Sequence, residues 1–206
     1  MTDIALQNDA NAIQVEAAIR AALGGRSLVL VGMMGVGKSS IGRRLASRLV
    51  IPFADADAEI EKAAGMSIAD IFARHGELDF RGGEARVIAR LLENGPQVLS
   101  TGGGAVMNAS TRGAIKAKGV SIWLAAEFDI LIRRVSKRKG ERPMLATDDP
   151  ARTLRELLAA REPIYALADI TVQSREAPHD AIVSEIVAAL SAFMKVSVAA
   201  EQKDGV

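Results

Sequence analysis

The run Gly32-Met33-Met34-Gly35-Val36-Gly37-Lys38-Ser39 follows the apolar stretch Leu28-Val29-Leu30-Val31 and opens a segment with Ile41, Leu45 and Leu49 at four-residue spacing. That order reads as a buried strand, a glycine loop and an amphipathic helix, the setting of a phosphate-binding loop. The glycines let backbone N–H groups converge on phosphate oxygens, and the helix start adds its positive dipole end. Gly35, Val36, Gly37, Lys38, Ser39 and Ser40 are the nucleotide-binding candidates, with Lys38 directed at the β/γ-phosphates and Ser39 at magnesium. Outside such a context the same letters would be only a glycine turn before a helix.

The rest of the chain alternates short apolar runs with helical patterns. Strands are expected over Ile51 to Ala54, Gln97 to Ser100, Val120 to Leu124 and Ile170 to Gln173. Ser67 should cap a helix carrying Ile68, Ile71 and Phe72, which Gly76 breaks before a longer segment from Glu77 to Leu92. Asp149-Pro150 starts another helix that Pro163 disturbs, and Pro178 begins the last one. Asn11 to Leu23 places Ile13, Ala17 and Ala21 on one face and reads as a short helix outside the fold proper, within an N-terminal extension over 1–25. Residues 26–195 form one domain on this reading, and the tail 196–206 is expected to be disordered. Such alternation argues for an α/β three-layer sandwich with a parallel sheet, whose ligands sit at the carboxyl ends of the strands. Gly32, Asp55 and Gly102 each directly follow an expected strand, so three chemically marked loops share one rim.

Composition narrows the function classes. Twenty-six basic and 25 acidic residues leave a net charge of +1, so no strong field draws nucleic acid or anionic lipid. Aromatic residues make up only 3% of the chain, which removes the stacking platforms of single-strand binders. Cysteine is absent, ruling out disulfides and thiolate metal sites and suiting a reducing compartment. No apolar run approaches the ~20 residues a membrane span needs, and the N-terminus lacks a signal pattern. A cytoplasmic protein is the expectation.

Further chemistry is marked beyond the loop. Asp55 and Asp57 after a neighbouring strand suggest one carboxylate for magnesium and one for an acceptor hydroxyl, although Asp near a first helical turn also serves as an N-cap. Glu77, Arg81 and Glu84 share one helical face, which alone would read as a solvated ion-pair face. Gly82 and Gly83 weaken that helix and allow close backbone approach or a local break. Gly102-Gly103-Gly104 lets main chain approach a ligand. Thr101 stands where a carboxylate for magnesium often ends this strand, which leaves the metal to Asp55. Residues 137–149, charged and without apolar periodicity, are a candidate lid. His75 and His179 have no second ligand at metal-binding spacing and read as surface residues.

Taken together, the glycine loop, Asp55-x-Asp57, Gly65-x-Ser67-Ile68-Ala69-Asp70-Ile71-Phe72, Phe80-Arg81 with Glu84, Gly102-Gly103-Gly104, Arg142-Pro143-Met144-Leu145 and Arg161-x-Pro163-x-Tyr165 resemble shikimate kinase from about Leu28 to Leu190. The resemblance implies a nucleoside-monophosphate-kinase-like fold of the P-loop nucleoside triphosphate hydrolase class, with five parallel strands in the order 2-3-1-4-5. It implies ATP with Mg2+ as cosubstrate, phosphorylation of the shikimate 3-hydroxyl, and a monomer without nucleic-acid or membrane partners. Carried over by position, Lys38, Asp57 and Arg142 are catalytic. Asp57, Arg81, Gly102, Gly103, Gly104 and Arg161 hold shikimate, Arg134 and Arg142 join the nucleotide site, and Ser39 and Asp55 hold the metal. Lid spacing differs by a residue around Arg134, and Gly82-Gly83 replaces larger residues. A gluconate or nucleoside monophosphate kinase shares the loop but needs another acceptor pocket, and a noncatalytic nucleotide switch would dispense with Asp57 and the acceptor arginines.

Overall fold

The computed structural model describes residues 2–136, 147 and 149–196, with side chains from residue 10 onward. The expected tail beyond 196 and all of the candidate lid except residues 147 and 149, Arg142 included, lie outside the described residues.

Strand β1 (Ser27–Val31) is buried at every position, as a strand covered on both faces must be, and its unbroken apolar run is the sequence counterpart. It lies between β3 (Val98–Ser100) and β4 (Gly119–Ala125), with β2 (Phe53–Asp55) beyond β3 and β5 (Ile170–Gln173) beyond β4. All four pairings are parallel, giving the order 2-3-1-4-5. Parallel neighbours need long crossovers, and helices supply them. In α2 (Lys38–Leu49), Ile41, Leu45 and Leu49 face the core, while Gly42 lets the helix settle on the sheet: a Cβ there would meet the Phe53 ring at 2.8 Å. The main core runs from Ile19 to Leu190, and a smaller cluster of Ile60, Ile71 and Phe80 joins α3 (Ala56–Ala64) to α4 (Ile68–Leu92). Among the described residues no helix is long and apolar enough to cross a membrane.

The helix α4 starts on a Ser67 side chain that accepts from the Asp70 N–H, and it is broken at Gly76, where φ is 78°. Beyond α5 (Ala109–Lys118) and α6 (Phe128–Ser136), α7 (Pro150–Tyr165) is capped by Asp149, whose carboxylate accepts from the Arg152 N–H. Pro163 does not end α7 but sits in its last turn, close enough to the terminus for the helix to finish around it.

Helix α1 (Thr2–Leu23) is longer than the sequence suggests, and it packs on α2 and on α8 (His179–Met194). Its inward side is not the Ile13-Ala17-Ala21 stripe. Ile19 and Leu23 are at most 1% exposed with Val15 packed against the core, whereas Ile13 is 65% exposed. Both stripes have four-residue spacing, and side-chain bulk decides which one is buried. Glu16 pairs with Arg48 at 2.6 Å, and Arg20 donates to the Leu49 carbonyl at 3.1 Å, tying α1 to the C-terminal end of α2.

Candidate active site

Between β1 and α2 the chain makes a tight arch. Gly32, with φ of 133°, passes so close to β4 that a Cβ would stand 2.6 Å from the Leu124 carbonyl oxygen, and Gly37, at φ 106°, is the N-cap of α2. A side chain at either position is strained by its backbone alone. Lys38 is the first residue of α2, and its ammonium turns into the arch, donating to the carbonyls of Gly32 at 2.8 Å and Met33 at 3.0 Å. The next helical residues are Ser39 and Ser40, half-buried at the helix start. Val36 is fully buried and its carbonyl is braced from behind: Ser174 Oγ donates to it at 2.8 Å and Arg134 Nη1 at 3.0 Å. Arg134 also donates to Ser174 Oγ and to the Arg175 carbonyl, each at 3.0 Å. Arg134 thus reaches the loop, but through protein carbonyls and a hydroxyl.

Beside the arch, Asp55 ends β2 and starts α3, and its two oxygens act separately. Oδ1 caps the helix by accepting from the Asp57 N–H at 3.1 Å, while Oδ2 accepts from Ser39 Oγ at 2.6 Å. Capping and site geometry, alternatives in the sequence, are both met by one carboxylate. Ser100 Oγ lies 3.2 Å from Ser39 Oγ, so three hard oxygens gather at the helix start. Among the described residues no group of three or more His, Cys, Asp or Glu could hold a metal alone. A donor set of hydroxyls and one carboxylate fits Mg2+, which keeps waters and takes phosphate oxygens. Thr101 instead ties the strands together, its hydroxyl donating to the Leu30 carbonyl at 2.9 Å, and Ser100 is the residue of that strand end facing Ser39.

On the acceptor side, the Arg81 guanidinium donates to Glu84 Oε2 at 2.7 Å and to Glu77 Oε1 at 3.2 Å. Glu84 is 1% exposed, so its pair with Arg81 is buried, while Glu77 on the same face stays exposed. Burial pushes the Glu84 carboxyl above its ordinary range, Arg81 draws it back and Asp57 raises it again. Burial works against the charge on Arg81, but its bonds to Glu84 and Glu77 outweigh that and hold the guanidinium pKa above its ordinary value. Asp57 stands open to solvent at the mouth of the cleft, yet the surrounding walls desolvate it. Desolvation first and Asp55 next lift its carboxyl above the ordinary value, against the pull of Lys38 and Arg81.

The glycine triplet is where these groups meet. A Cβ on Gly102 would lie 2.7 Å from Glu84 Oε1 and 2.9 Å from Asp57 Oδ1. On Gly103 it would lie 3.2 Å from the Met34 nitrogen and 3.7 Å from Arg161 Nη1, and on Gly104 2.5 Å from Arg81 Nη2. Arg161, buried at 6% exposure on α7, and Arg81 on α4 therefore flank neighbouring glycines although they are far apart in sequence. The cleft so formed has a phosphate-binding arch on one side, two guanidinium groups on the other and a carboxylate with a raised pKa between them.

Lys38, Ser39, Asp55, Asp57, Arg81, Gly102, Gly103, Gly104 and Arg161 converge on this cleft, whereas Arg142 lies outside the described residues. Sequence reasoning does not single out Glu84, Ser100, Tyr165 or Ser174 as site residues. Glu84 carries a usable signal in its three-residue offset from Arg81. Strand-end serines such as Ser100 and Ser174 carry none until the sheet register is known.

The sequence profile of the shikimate kinase family matches residues 34–191. A shikimate kinase of Bradyrhizobium diazoefficiens is 59% identical over 194 residues, covering 94% of this chain and 92% of its own length. One from Rhodopseudomonas palustris is 58% identical over 179 residues, 87% of this chain and 88% of its own. Among solved structures, a shikimate kinase from Acinetobacter baumannii in complex with shikimate superposes with a TM-score of 0.79 at 33% identity, covering 86% of this chain and 97% of that one.

Proposed function

The chain belongs to the shikimate kinase family, and from that premise we propose that it transfers the γ-phosphoryl group of ATP to the 3-hydroxyl of shikimate, giving shikimate 3-phosphate and ADP. The observation that carries the reading is the convergence of Arg81, Arg161 and Asp57 around Gly102–Gly104, across from the phosphate-binding arch. Shikimate offers one carboxylate and three ring hydroxyls. Planar guanidinium forks meet a carboxylate bidentately, and a carboxylate accepts from a hydroxyl. Arg81 and Arg161 take the first role and Asp57 the second.

Phosphoryl transfer is loose in most analyses, so positioning and charge stabilisation matter more than a strong base. The 3-hydroxyl oxygen bonds to the γ-phosphorus, the bond to the bridging oxygen breaks, ADP leaves, and the hydroxyl proton passes to Asp57 Oδ. Lys38 supports this by offering the phosphates an ammonium already inside the arch, where the Gly32 and Met33 carbonyls hold it beforehand. Mg2+, held by Ser39 with Asp55 beside it, would neutralise charge on the phosphate oxygens. Backbone N–H groups from Gly35 to Ser40 cradle the phosphates, Arg134 fixes the loop behind them, and Arg142 supplies a further cation from the lid. The reading extends to a monomer working in the cytoplasm, which the cysteine-free composition suits.

An ADP-coupled assay with MgATP and separate acceptors tests the assignment. Turnover is expected with shikimate and not with gluconate or nucleoside monophosphates. Turnover with either of those in place of shikimate would assign the cleft to another acceptor, and ATP binding without turnover on any acceptor would favour the nucleotide switch.

A further inference from the structure

All three carbonyls of the Gly102–Gly104 triplet are already engaged, each by a different group. The Gly102 carbonyl accepts from the Ala105 N–H at 3.2 Å and the Gly104 carbonyl from the Met107 N–H at 3.0 Å, both through the short 3-10 turn Ala105–Met107. The middle one, Gly103, has no backbone partner among the described residues. Its carbonyl accepts instead from the Tyr165 hydroxyl. Among the described residues, the N–H groups of the triplet donate no hydrogen bond. A peptide plane carries its C=O and the following N–H on opposite edges, so fixing the Gly103 carbonyl also fixes the direction of the Gly104 N–H.

Tyr165 is placed for this by its own surroundings. It lies one helical turn after Arg161 on α7, so both side chains leave the same face. The residue is 1% exposed, its ring stacks on Trp123 with centroids 6.1 Å apart, and its oxygen lies 3.6 Å from Met33 Sδ at the start of the phosphate arch. The buried ring confines the hydroxyl to two acceptors, the Gly103 carbonyl and Met33 Sδ, of which the carbonyl oxygen is the stronger, with Arg161 beside it. Burial also lifts the phenol to about 12, so it remains a donor throughout any working pH.

We propose that Tyr165 is a positioning residue of the reaction: by holding the Gly103 carbonyl, it turns the N–H edge of the triplet toward the acceptor and the transferred group. This rests on the kinase reading given above. Tyr165 touches no reacting atom, and its contribution reaches the acceptor through the main chain. Glycine, with the widest backbone freedom, is where such an external clamp matters most.

The test is Tyr165→Phe, which keeps the ring and removes only the hydroxyl. One hydrogen bond is worth about 0.5–1.5 kcal/mol, so the shikimate KM is expected to rise about two- to tenfold. The ATP KM should stay within about twofold and the thermal midpoint within a few degrees, because ring packing is retained. A fall in stability that raises both KM values together would overturn the proposal by making Tyr165 merely structural, as would an unchanged shikimate KM. A second measurement needs no variant. The protein has one tyrosine and one tryptophan, stacked on each other, so near-ultraviolet difference spectra report this spot alone. Shikimate without nucleotide should perturb the tyrosine band of the native protein, and a silent tyrosine band also overturns the proposal. Native protein that fails to phosphorylate shikimate would instead overturn the kinase reading, so the two failures are told apart.

Discussion

Replacing Gly104 by alanine would set a Cβ 2.5 Å from Arg81 Nη2 and 2.7 Å from Arg81 Cζ. The guanidinium would have to leave, while the backbone of the triplet is left intact. We expect Gly104→Ala to keep its circular dichroism and to raise the shikimate KM about tenfold to a hundredfold, the loss of about 1.5–3 kcal/mol of charge-assisted bonding. Steady-state kinetics with each substrate varied checks it. Asp57 makes a pH prediction whose sign follows from its raised carboxyl. Protonation of Asp57 as pH falls removes the hydroxyl acceptor, so the acid limb of kcat/KM for shikimate should lie above the ordinary 3.8. For stability the sign is opposite. Between the ordinary and the raised value the folded state binds more protons than the unfolded one, so the benefit is full at low pH and is lost as pH rises through the folded pKa. Asp57→Asn should therefore melt higher than native protein at neutral pH while losing turnover, measurable by thermal scans beside the assay. Asp55, Asp57 and Lys38 were legible in the sequence because each follows a strand at short range. Ser174 was not, because its link to Val36 spans 138 positions and depends on which strands are neighbours.

At the scale of elements, Gly82 and Gly83 lie within α4 and have no steric need to be glycine. The nearest atoms to an added Cβ belong to the exposed, flexible Arg86 side chain, at 3.5 Å and 4.0 Å. Each substitution to alanine should stabilise by about 1 kcal/mol from helix propensity, read as a shifted denaturant midpoint with an unchanged slope. The contrast with Gly76 is conformational: φ of 78° there makes a side chain costly. Helix α1, expected from the sequence to lie outside the fold proper, packs on the core, so its removal bears on stability. Removing residues 1–24 exposes the core around the former sites of Ile19 and Leu23 and breaks the Glu16–Arg48 pair. Burying two such side chains is worth about 1.5–3 kcal/mol each, so the truncated protein should melt clearly lower, while its shikimate KM stays near native because α1 touches α2 at the end away from the arch. Helix starts were readable from Ser67 and Asp149 because caps are local chemistry. The buried stripe of α1 is not given by period, which two stripes share, and turns on the greater bulk of Val15, Ile19 and Leu23 over Ile13, Ala17 and Ala21.

For the molecule as a whole, alternation of strands and helices announced a parallel sheet, and loops after β1, β2 and β3 were expected on one rim because parallel strands share a carboxyl end. The order 2-3-1-4-5 is another matter. Nothing in the residues of β2 says whether it pairs with β1 or, as it does, with β3, and only resemblance to a known family supplied the order. That order draws α4 and α7 to the same cleft and so brings Arg81 and Arg161 to neighbouring glycines. It also brings Arg81 there already engaged, by buried Glu84 and by Glu77. Chloride drifting into the cleft from the cell's large pool finds this cation screened by the protein's own carboxylates and has nothing but charge with which to compete. Shikimate brings ring hydroxyls as well, each able to meet Asp57 or the glycine rim, so ambient salt is a weak rival and the cleft stays available to its acceptor.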